Sequence, residues 1–407
     1  MKKIIALFLA CLLLLGTLSG CTDTPPDVSG DGGNTPGGNE TVKAETLTVA
    51  GANISAYTIV YAPAYSAEFV GEFEELLGEE YEHNLVTATE LAELLSETLG
   101  VTLTVKADSE AETAREILIG ATNRAASASV TASADDAYTL SVVGEKLVLA
   151  GGSDGAVYHA LDAIETALTK APAKDLAWNA GEVLSGKAPL RRIACLGDSI
   201  TEGAIGGGAV TVDFSYPAHL QRMLWQDAIV YNYGLGGTTM INSSTKPYMS
   251  SQQYADCLTS GVAYDVILVM LGTNDSKVVG DTWTEAANDE YMACAQTLFA
   301  SLKEKSPGAR FAFMNCPVKF TSAGYANAYM LPVQREAATL LRSEGYDITH
   351  YDMRAYTTEV MTAEDFPVDG LHPSRGGYYK IAEGVLELVY HLLDGDENEY
   401  IIPLTQE

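Results

Sequence analysis

Apolar and polar positions alternate in two regimes along this chain. From Ala44 to about Leu168, short strand-like and helical patterns are mixed. Ala56–Tyr61 alternates like a strand, Val101–Val105 alternates at period two, and Glu116–Gly120 is an apolar run ending on a turn residue. Thr87 to Leu99 carries apolar residues at helical spacing, and Thr87 with Glu90 matches a capping box. Tyr138–Val143 and Lys146–Ala150, split by Gly144 and Glu145, predict a hairpin, after which Gly151–Gly155 opens a helix to about Leu168. That glycine cluster lacks the Lys-Ser/Thr ending of a phosphate loop and the spacing of a dinucleotide fingerprint, so it predicts a turn and a cap.

From about residue 190 the pattern becomes regular. Strands near 193–197, 229–232, 265–271, 310–316 and 347–352 are separated by helical stretches around 216–226, 285–305 and 330–343, and a last helix runs from about Ser374 to Leu393. Such alternation predicts an α/β domain with a parallel sheet covered on both faces. The loops after its first three strands then fall at one sheet edge, where open α/β sheets place their ligands. A length of 407 residues fits two folded regions: an accessory α/β domain at 44–170 and a larger domain at 190–395, with 171–189 as connector and 396–407 as tail.

Chemistry concentrates in those loops. Gly197-Asp198-Ser199-Ile200-Thr201-Glu202-Gly203 follows the apolar run Ile193–Leu196; Asn232–Thr239 follows Ala228–Tyr231; Gly272-Thr273-Asn274-Asp275 follows Val266–Leu271; and Asp369-Gly370-Leu371-His372-Pro373 lies late in the chain. Taken singly, Ser199 or Asp198 reads as a helix cap, and Asn274 with Asp275 as turn formers. Together, and in this order, the four blocks resemble the SGNH (GDSL-type) serine hydrolase superfamily across roughly residues 190–395. The superfamily's Ser, Gly, Asn and His map onto Ser199, Gly237, Asn274 and His372. The resemblance implies a three-layer, flavodoxin-like fold and a serine esterase that needs neither metal nor cofactor.

The residue types suit that chemistry. A serine nucleophile needs a base within about 2.6–3.2 Å, a place His372 can fill. Asp369, three residues earlier, can accept from the other ring nitrogen and fix the tautomer. The tetrahedral oxyanion needs donors: the backbone amides of Ser199 and Gly237 and the Asn274 side chain, each typically worth about 2.7–4 kcal/mol of barrier. Glycine at 237 permits close backbone approach. Thr201 and Glu202 read as structural or capping residues. The other histidines (His83, His159, His219, His350 and His391) show no metal-ligand spacing and read as structural.

The N-terminus adds a location. Lys2 and Lys3 precede an apolar run from Ile4 to Leu15 and then Leu18-Ser19-Gly20-Cys21, the layout of a secretory signal. The last four residues resemble a bacterial lipobox, which implies cleavage after residue 20 and lipid on Cys21. Two acyl chains would hold the protein at the outer face of a membrane. Residues 21–43, rich in Pro, Gly, Asn, Asp and Thr, read as a flexible tether. The formal charge of −30, or −32 once Lys2 and Lys3 leave with the signal, argues against nucleic acid. It argues equally against docking on anionic lipid by charge. Of the remaining cysteines, Cys195, Cys257, Cys294 and Cys316 are expected to be mostly free thiols.

Residues 44–168 resemble the small α/β domain ahead of the catalytic barrels of some hexosaminidases and α-glucuronidases, on the runs 116–124 and 147–152. No glycosidase barrel follows, and a packing module without a ligand is the expectation. The reading that joins these features is an extracytoplasmic esterase removing acetyl or similar groups from carbohydrate. The alternatives are a lipase or lysophospholipase on the same scaffold, and a surface glycan-binding lipoprotein without turnover. Tyr216, Tyr248, Trp283 and Tyr325, in or beside the site loops, could stack on a sugar ring but are expected to be packing residues.

Overall fold

The computed structural model describes residues 41–65, 81–279, 283–320 and 327–394. The signal, Cys21, most of the tether, Tyr325 and the tail at 396–407 lie outside the described residues.

The first half runs β1 (Thr46–Val49), β2 (Ala52–Asn53), β3 (Thr58–Tyr61), α1 (His83–Leu99), β4 (Val105–Ala107), β5 (Glu116–Ile119) and α2 (Ala125–Ala128). It continues with β6 (Ala137–Val143), β7 (Lys146–Gly151), α3 (Asp154–Thr169), β8 (Asp175–Trp178) and β9 (Val183–Lys187). A six-stranded sheet has the order β4-β3-β5-β7-β6-β9, and β2-β1-β8 forms a smaller one. The β6–β7 hairpin pairs antiparallel, Val143 opposite Lys146. Ser153 caps α3, its Oγ accepting from the Ala156 amide at 3.2 Å. Buried Glu116 meets Lys146 at 2.6 Å and Arg124 at 3.2 Å. Burial alone would raise its pKa, but the bonds from Lys146, the Thr113 amide and Arg124 prevail and hold it at about 2.

Three local expectations change. Residues 171–189 are not a plain connector: β8 pairs parallel with β1, and β9 pairs antiparallel with β6. Both segments are short and largely exposed, and their partners lie far away in sequence, so no local pattern announces them. The helix expected from Thr87 begins at His83, a turn earlier, and Thr87 Oγ1 donates to the His83 carbonyl at 3.0 Å instead of capping. That first turn is buried through His83 and Asn84, polar residues that mask its periodicity. The strand expected at 101–105 pairs only from Val105, which lies opposite Ile59.

The second half begins β10 (Arg191–Gly197), α4 (Ser199–Glu202), β11 (Ala204–Gly206), β12 (Ala209–Val210), α5 (Tyr216–Met223), β13 (Ala228–Gly234) and α6 (Gln252–Thr259). It continues β14 (Val266–Met270), α7 (Asp275–Val279), α8 (Glu285–Lys305), β15 (Arg310–Met314), α9 (Asn327–Ser343), β16 (Ile348–Tyr351), α10 (Met353–Val360) and α11 (Arg375–Asp394). Five strands form one parallel sheet in the order β13-β10-β14-β15-β16, the flavodoxin-like arrangement.

Period-two alternation splits this sheet's side chains between two cores. Ile193, Cys195, Leu268 and Met314 pack with α5 and α11 through residues such as Leu220 and Val385. Ala194, Leu196, Val269 and Phe313 face the opposite way, against α8 and α9 through Leu298 and Leu341. Every residue of β14 is buried, as a central parallel strand requires. Each such aliphatic side chain contributes about 1.5–3 kcal/mol through its removal from water. The order of strands leaves β10 between β13 and β14, so the loops after all three converge at their carboxyl ends.

The halves pack together. The Trp225 indole stacks on the His83 ring at 4.4 Å, and Arg192 meets buried Asp136 at 2.6 Å. Ala156, Ala188, Leu190 and Ile229 make a small apolar cluster between them.

Candidate active site

Ser199 is positioned by a sharp exit from β10. A Cβ on Gly197 would lie 2.1 Å from Thr201 Oγ1 and 2.7 Å from the Met270 carbonyl, so only glycine lets the chain turn there. Asp198 then caps α4, its Oδ1 accepting from the Ile200 amide at 3.0 Å. Ser199 is therefore the first residue of the helix, not its cap. Its Oγ stands 2.9 Å from His372 Nε2. His372 Nδ1 lies 2.7 Å from Asp369 Oδ2. With a carboxylate facing Nδ1, the ring proton resides on that nitrogen, and Nε2 is left to accept from the serine hydroxyl.

The Asp369–His372 turn fixes its own geometry. Asp369 Oδ1 accepts the backbone amides of Leu371 at 3.0 Å and His372 at 2.8 Å, and Gly370 takes φ +68° between them. Burial would raise the Asp369 pKa, but the His372 amide, the His372 ring and the Leu371 amide prevail and lower it. Gly206 approaches from the β11–β12 hairpin: a Cβ there would meet Val368 at 2.9 Å and Asp369 Oδ2 at 3.0 Å.

The loop after β13 comes to the other side of Ser199. A Cβ built on Gly236 would stand 3.5 Å from that of Ser199, and Gly237 takes φ +77°. The Gly236 amide donates to Glu202 Oε2 at 2.9 Å, while Lys246 Nζ donates to the Gly236 carbonyl. Asn274 Nδ2 donates to the Thr238 carbonyl at 3.0 Å, which occupies one of its two amide hydrogens. Asp275 accepts the amides of Met240 at 3.0 Å and Ile241 at 2.9 Å. Burial raises the carboxyl pKa of Asp198 and, with the Asp198 charge adding to burial, pushes that of Asp275 to about 7.

The structure thus brings together Ser199, His372 and Asp369, with Gly237 and Asn274 in loops at the same sheet edge. Sequence reasoning gave Glu202 a structural or capping role, read Asp275 as a turn former and passed over Lys246. Glu202 and Asp275 lie inside recognised blocks, which is the signal they carried; Lys246 lies in none. Of the aromatics, Tyr216 and Tyr248 are fully buried, so neither stacks on a sugar. Tyr248 OH donates to the Tyr233 carbonyl at 2.6 Å, and half-buried Trp283 stands edge-on to Tyr291. Two exposed apolar residues adjoin the Asp369–His372 turn: Val368, next to Asp369, and Phe320, whose amide donates to the Gly370 carbonyl at 2.7 Å. Cys195, Cys257, Cys294 and Cys316 are free and buried. Among the described residues no group of three or more His, Cys, Asp or Glu is disposed to hold a metal ion, and no helix is long and apolar enough to cross a membrane.

Residues 195–380 match the GDSL-like Lipase/Acylhydrolase family. An acetylxylan esterase of Xylanibacter ruminicola is 28% identical over 210 residues, which covers 47% of this chain and 42% of that protein; the chain thus spans less than half of the relative's length. Among solved structures, a carbohydrate acetylesterase family member from Sinorhizobium meliloti is 21% identical with a TM-score of 0.39, covering 50% of this chain and 100% of that one. A family two carbohydrate esterase from Clostridium thermocellum, solved with cellohexaose, is 18% identical with a TM-score of 0.41, covering 53% of this chain and 68% of its own. Ser199, Gly237, Asn274 and His372 all lie inside the stretch that is similar to the GDSL-like Lipase/Acylhydrolase family, and this likeness, with that to the acetylxylan esterase, supports a carboxylic ester hydrolase.

Proposed function

We propose that this protein is a serine esterase that removes small acyl groups, acetyl above all, from carbohydrate. The observation that carries the reading is the continuous relay from Ser199 Oγ through His372 to Asp369, with contacts of 2.9 and 2.7 Å. In the first step Ser199 Oγ attacks the ester carbonyl carbon while its proton passes to His372 Nε2. Asp369 holds the Nδ1 proton and stabilises the imidazolium. The tetrahedral oxyanion is met by the amides of Ser199 and Gly237 and the free amide hydrogen of Asn274. The sugar hydroxyl departs with the proton from His372, leaving an acyl-serine. Water, deprotonated by His372, then releases the carboxylic acid and restores Ser199.

The acetylxylan esterase relative supports carbohydrate as the acceptor. The exposed Val368 and Phe320 beside the Asp369–His372 turn favour a second reading, in which the acyl group is longer and the ester a lipid. Hydrolysis of p-nitrophenyl acetate, butyrate and octanoate beside a Ser199→Ala control separates them. Turnover confined to acetate and lost in the variant supports the first reading; preference for octanoate supports the second. Absence of Ser199-dependent turnover would leave a glycan-binding protein.

The location belongs to the same proposal: an extracytoplasmic protein held to a membrane by lipid on Cys21. Incorporation of labelled palmitate into the wild type and its loss in Cys21→Ser would support it, and equal labelling of both would refute it. The first half is read as a packing module, whose likeness to domains of glycan-degrading enzymes is tested by retention on polysaccharide.

A further inference from the structure

We infer that Lys246 is a positioning residue of the oxyanion site, acting through the Gly236–Gly237 peptide; the inference rests on the esterase reading above. The amide that would face the oxyanion belongs to Gly237, and the carbonyl of that same peptide unit is the Gly236 oxygen. Lys246 Nζ donates to this oxygen. A cation on a peptide oxygen draws electron density from the nitrogen and strengthens the N–H as a donor, as successive hydrogen bonds polarise one another. It also fixes the plane in which that N–H points. The preceding amide, that of Gly236, is held from the other side by Glu202 Oε2 at 2.9 Å. Two opposite charges therefore grip consecutive peptide units, an arrangement that resists rotation of the left-handed Gly237 (φ +77°).

Lys246 reaches this place through a closed loop. The Thr239 amide donates to the Lys246 carbonyl at 3.1 Å, and the Tyr248 amide donates to the Thr239 carbonyl at 2.9 Å. The Lys246 amide donates to Ser244 Oγ at 3.2 Å. The lysine backbone is thus tied beside residue 239 while its side chain returns along the loop. Its Cδ and Nζ lie 3.7 and 3.8 Å from where a Gly237 Cβ would be. A surface lysine serving only solubility has no reason to be tethered at both ends against one glycine peptide.

The test compares wild type, Lys246→Met and Lys246→Arg in the full chain, with Ser199→Ala as control. Each is assayed for kcat and KM on p-nitrophenyl acetate and for inhibition by methylboronic acid, whose tetrahedral serine adduct carries the oxyanion. Loss of optimal geometry at one donor is expected to lower kcat about tenfold in Lys246→Met, less than the about 10²–10³ for removing a donor outright. KM should stay within about twofold, the boronate inhibition constant should rise by the factor that kcat/KM falls, and Lys246→Arg should recover most of the loss. A Lys246→Met enzyme with wild-type kcat, a rise in KM alone, or boronate affinity unchanged would overturn the inference. A wild type no faster than Ser199→Ala would instead bring down the esterase reading, and the role of Lys246 with it.

Discussion

His372 meets Asp369 twice, through its ring at 2.7 Å and through its own backbone amide at 2.8 Å. One carboxylate therefore sets both where the imidazole sits and which tautomer it holds. Asp369→Asn keeps the size and most of the turn but removes the charge and can present a donor to Nδ1. It is expected to lower kcat by about 10³–10⁴-fold with little change in KM. The Asp369 pKa is lowered from 3.8, so its contribution to stability is present above about pH 4 and is lost only as pH falls through the lower folded value. Asp369 should therefore stay ionised through the neutral and mildly acidic range, holding the Nδ1 proton of the ring throughout. Steady-state kinetics on p-nitrophenyl acetate check this, and an Asp369→Asn enzyme with kcat within tenfold of wild type would contradict it.

Two glycines separate stability from catalysis. A Cβ on Gly152 would lie 2.0 Å from the Ala134 carbonyl, in the turn before α3 and away from Ser199. Gly152→Ala must move backbone, and overpacking of this kind costs about 1–3 kcal/mol. Its melting temperature should fall while kcat at a permissive temperature stays near wild type. Gly237 has room for a methyl group, with Lys246 Cδ 3.7 Å away, but its φ of +77° costs an alanine about 1–2 kcal/mol. Gly237→Ala can relieve that strain by rotating the peptide, which turns its N–H away. Its kcat loss, about 10²-fold or more, should exceed its loss of stability. Equal behaviour of the two variants in both assays would refute the distinction.

What could be read from the sequence was whatever is local. Ser199, Gly237 and Asn274 each follow an apolar run that is a strand, and Asp369 and His372 share one turn, so the pattern carried the constellation and the parallel sheet. Strands β8 and β9 were missed because Asp175–Trp178 and Val183–Lys187 owe their pairing to β1 and β6, over a hundred and about forty residues away. The start of α1 was missed because His83 and Asn84 are buried polar residues, one facing Asp154 and the other donating to the Ala62 carbonyl. The bonds that Lys246 and Glu202 make were not legible because their partners are backbone atoms of Gly236, and no residue-type pattern records a bond to a peptide group.

Asp275 gives the fold a pH signature. Burial and the neighbouring Asp198 raise its pKa from 3.8 to about 7. Between those values the folded state keeps a proton that the unfolded chain has released, so this residue's contribution falls as pH rises from about 4 to 7 and is flat beyond. His219 and His350 act oppositely. Burial first, and then nearby arginines, lower them from 6.5 to about 3 and about 4, so their contribution is lost as pH falls below about 6.5. Asp275→Asn should therefore gain stability relative to wild type as pH rises from 5 to 8. It should still lose activity at both, because an amide can accept only one of the Met240 and Ile241 hydrogen bonds cleanly. Thermal melts of the two proteins at pH 5, 6.5 and 8 measure this, and a constant difference between them would show that Asp275 does not titrate in that range.

Trp225 ties the two halves of the molecule. It is buried, stacks on His83 at 4.4 Å with 11° between the rings, and meets Tyr158 edge-on at 5.3 Å. Its carbonyl sits so close to α3 that a Cβ on Gly155 would approach it to 2.1 Å, and His159 Nε2 contacts the next carbonyl, of Gln226, at 2.9 Å. A residue packed from one side by α1 and α3 and carried by the segment between α5 and β13 couples the unfolding of both sheets. Trp225→Ala removes the stack and leaves a cavity, at a cost of about 3–5 kcal/mol. That loss falls on the junction and not on either core, so the expected result is a change of shape as well as of midpoint. Wild type should unfold in one transition, and the variant in two, the first releasing the 44–187 region to protease while Ser199 still reacts with a phosphonate. A variant that melts in a single, lower transition with both regions cleaved together would place the cooperativity elsewhere, in the Asp136–Arg192 pair and the Leu190–Ile229 cluster that also span the halves.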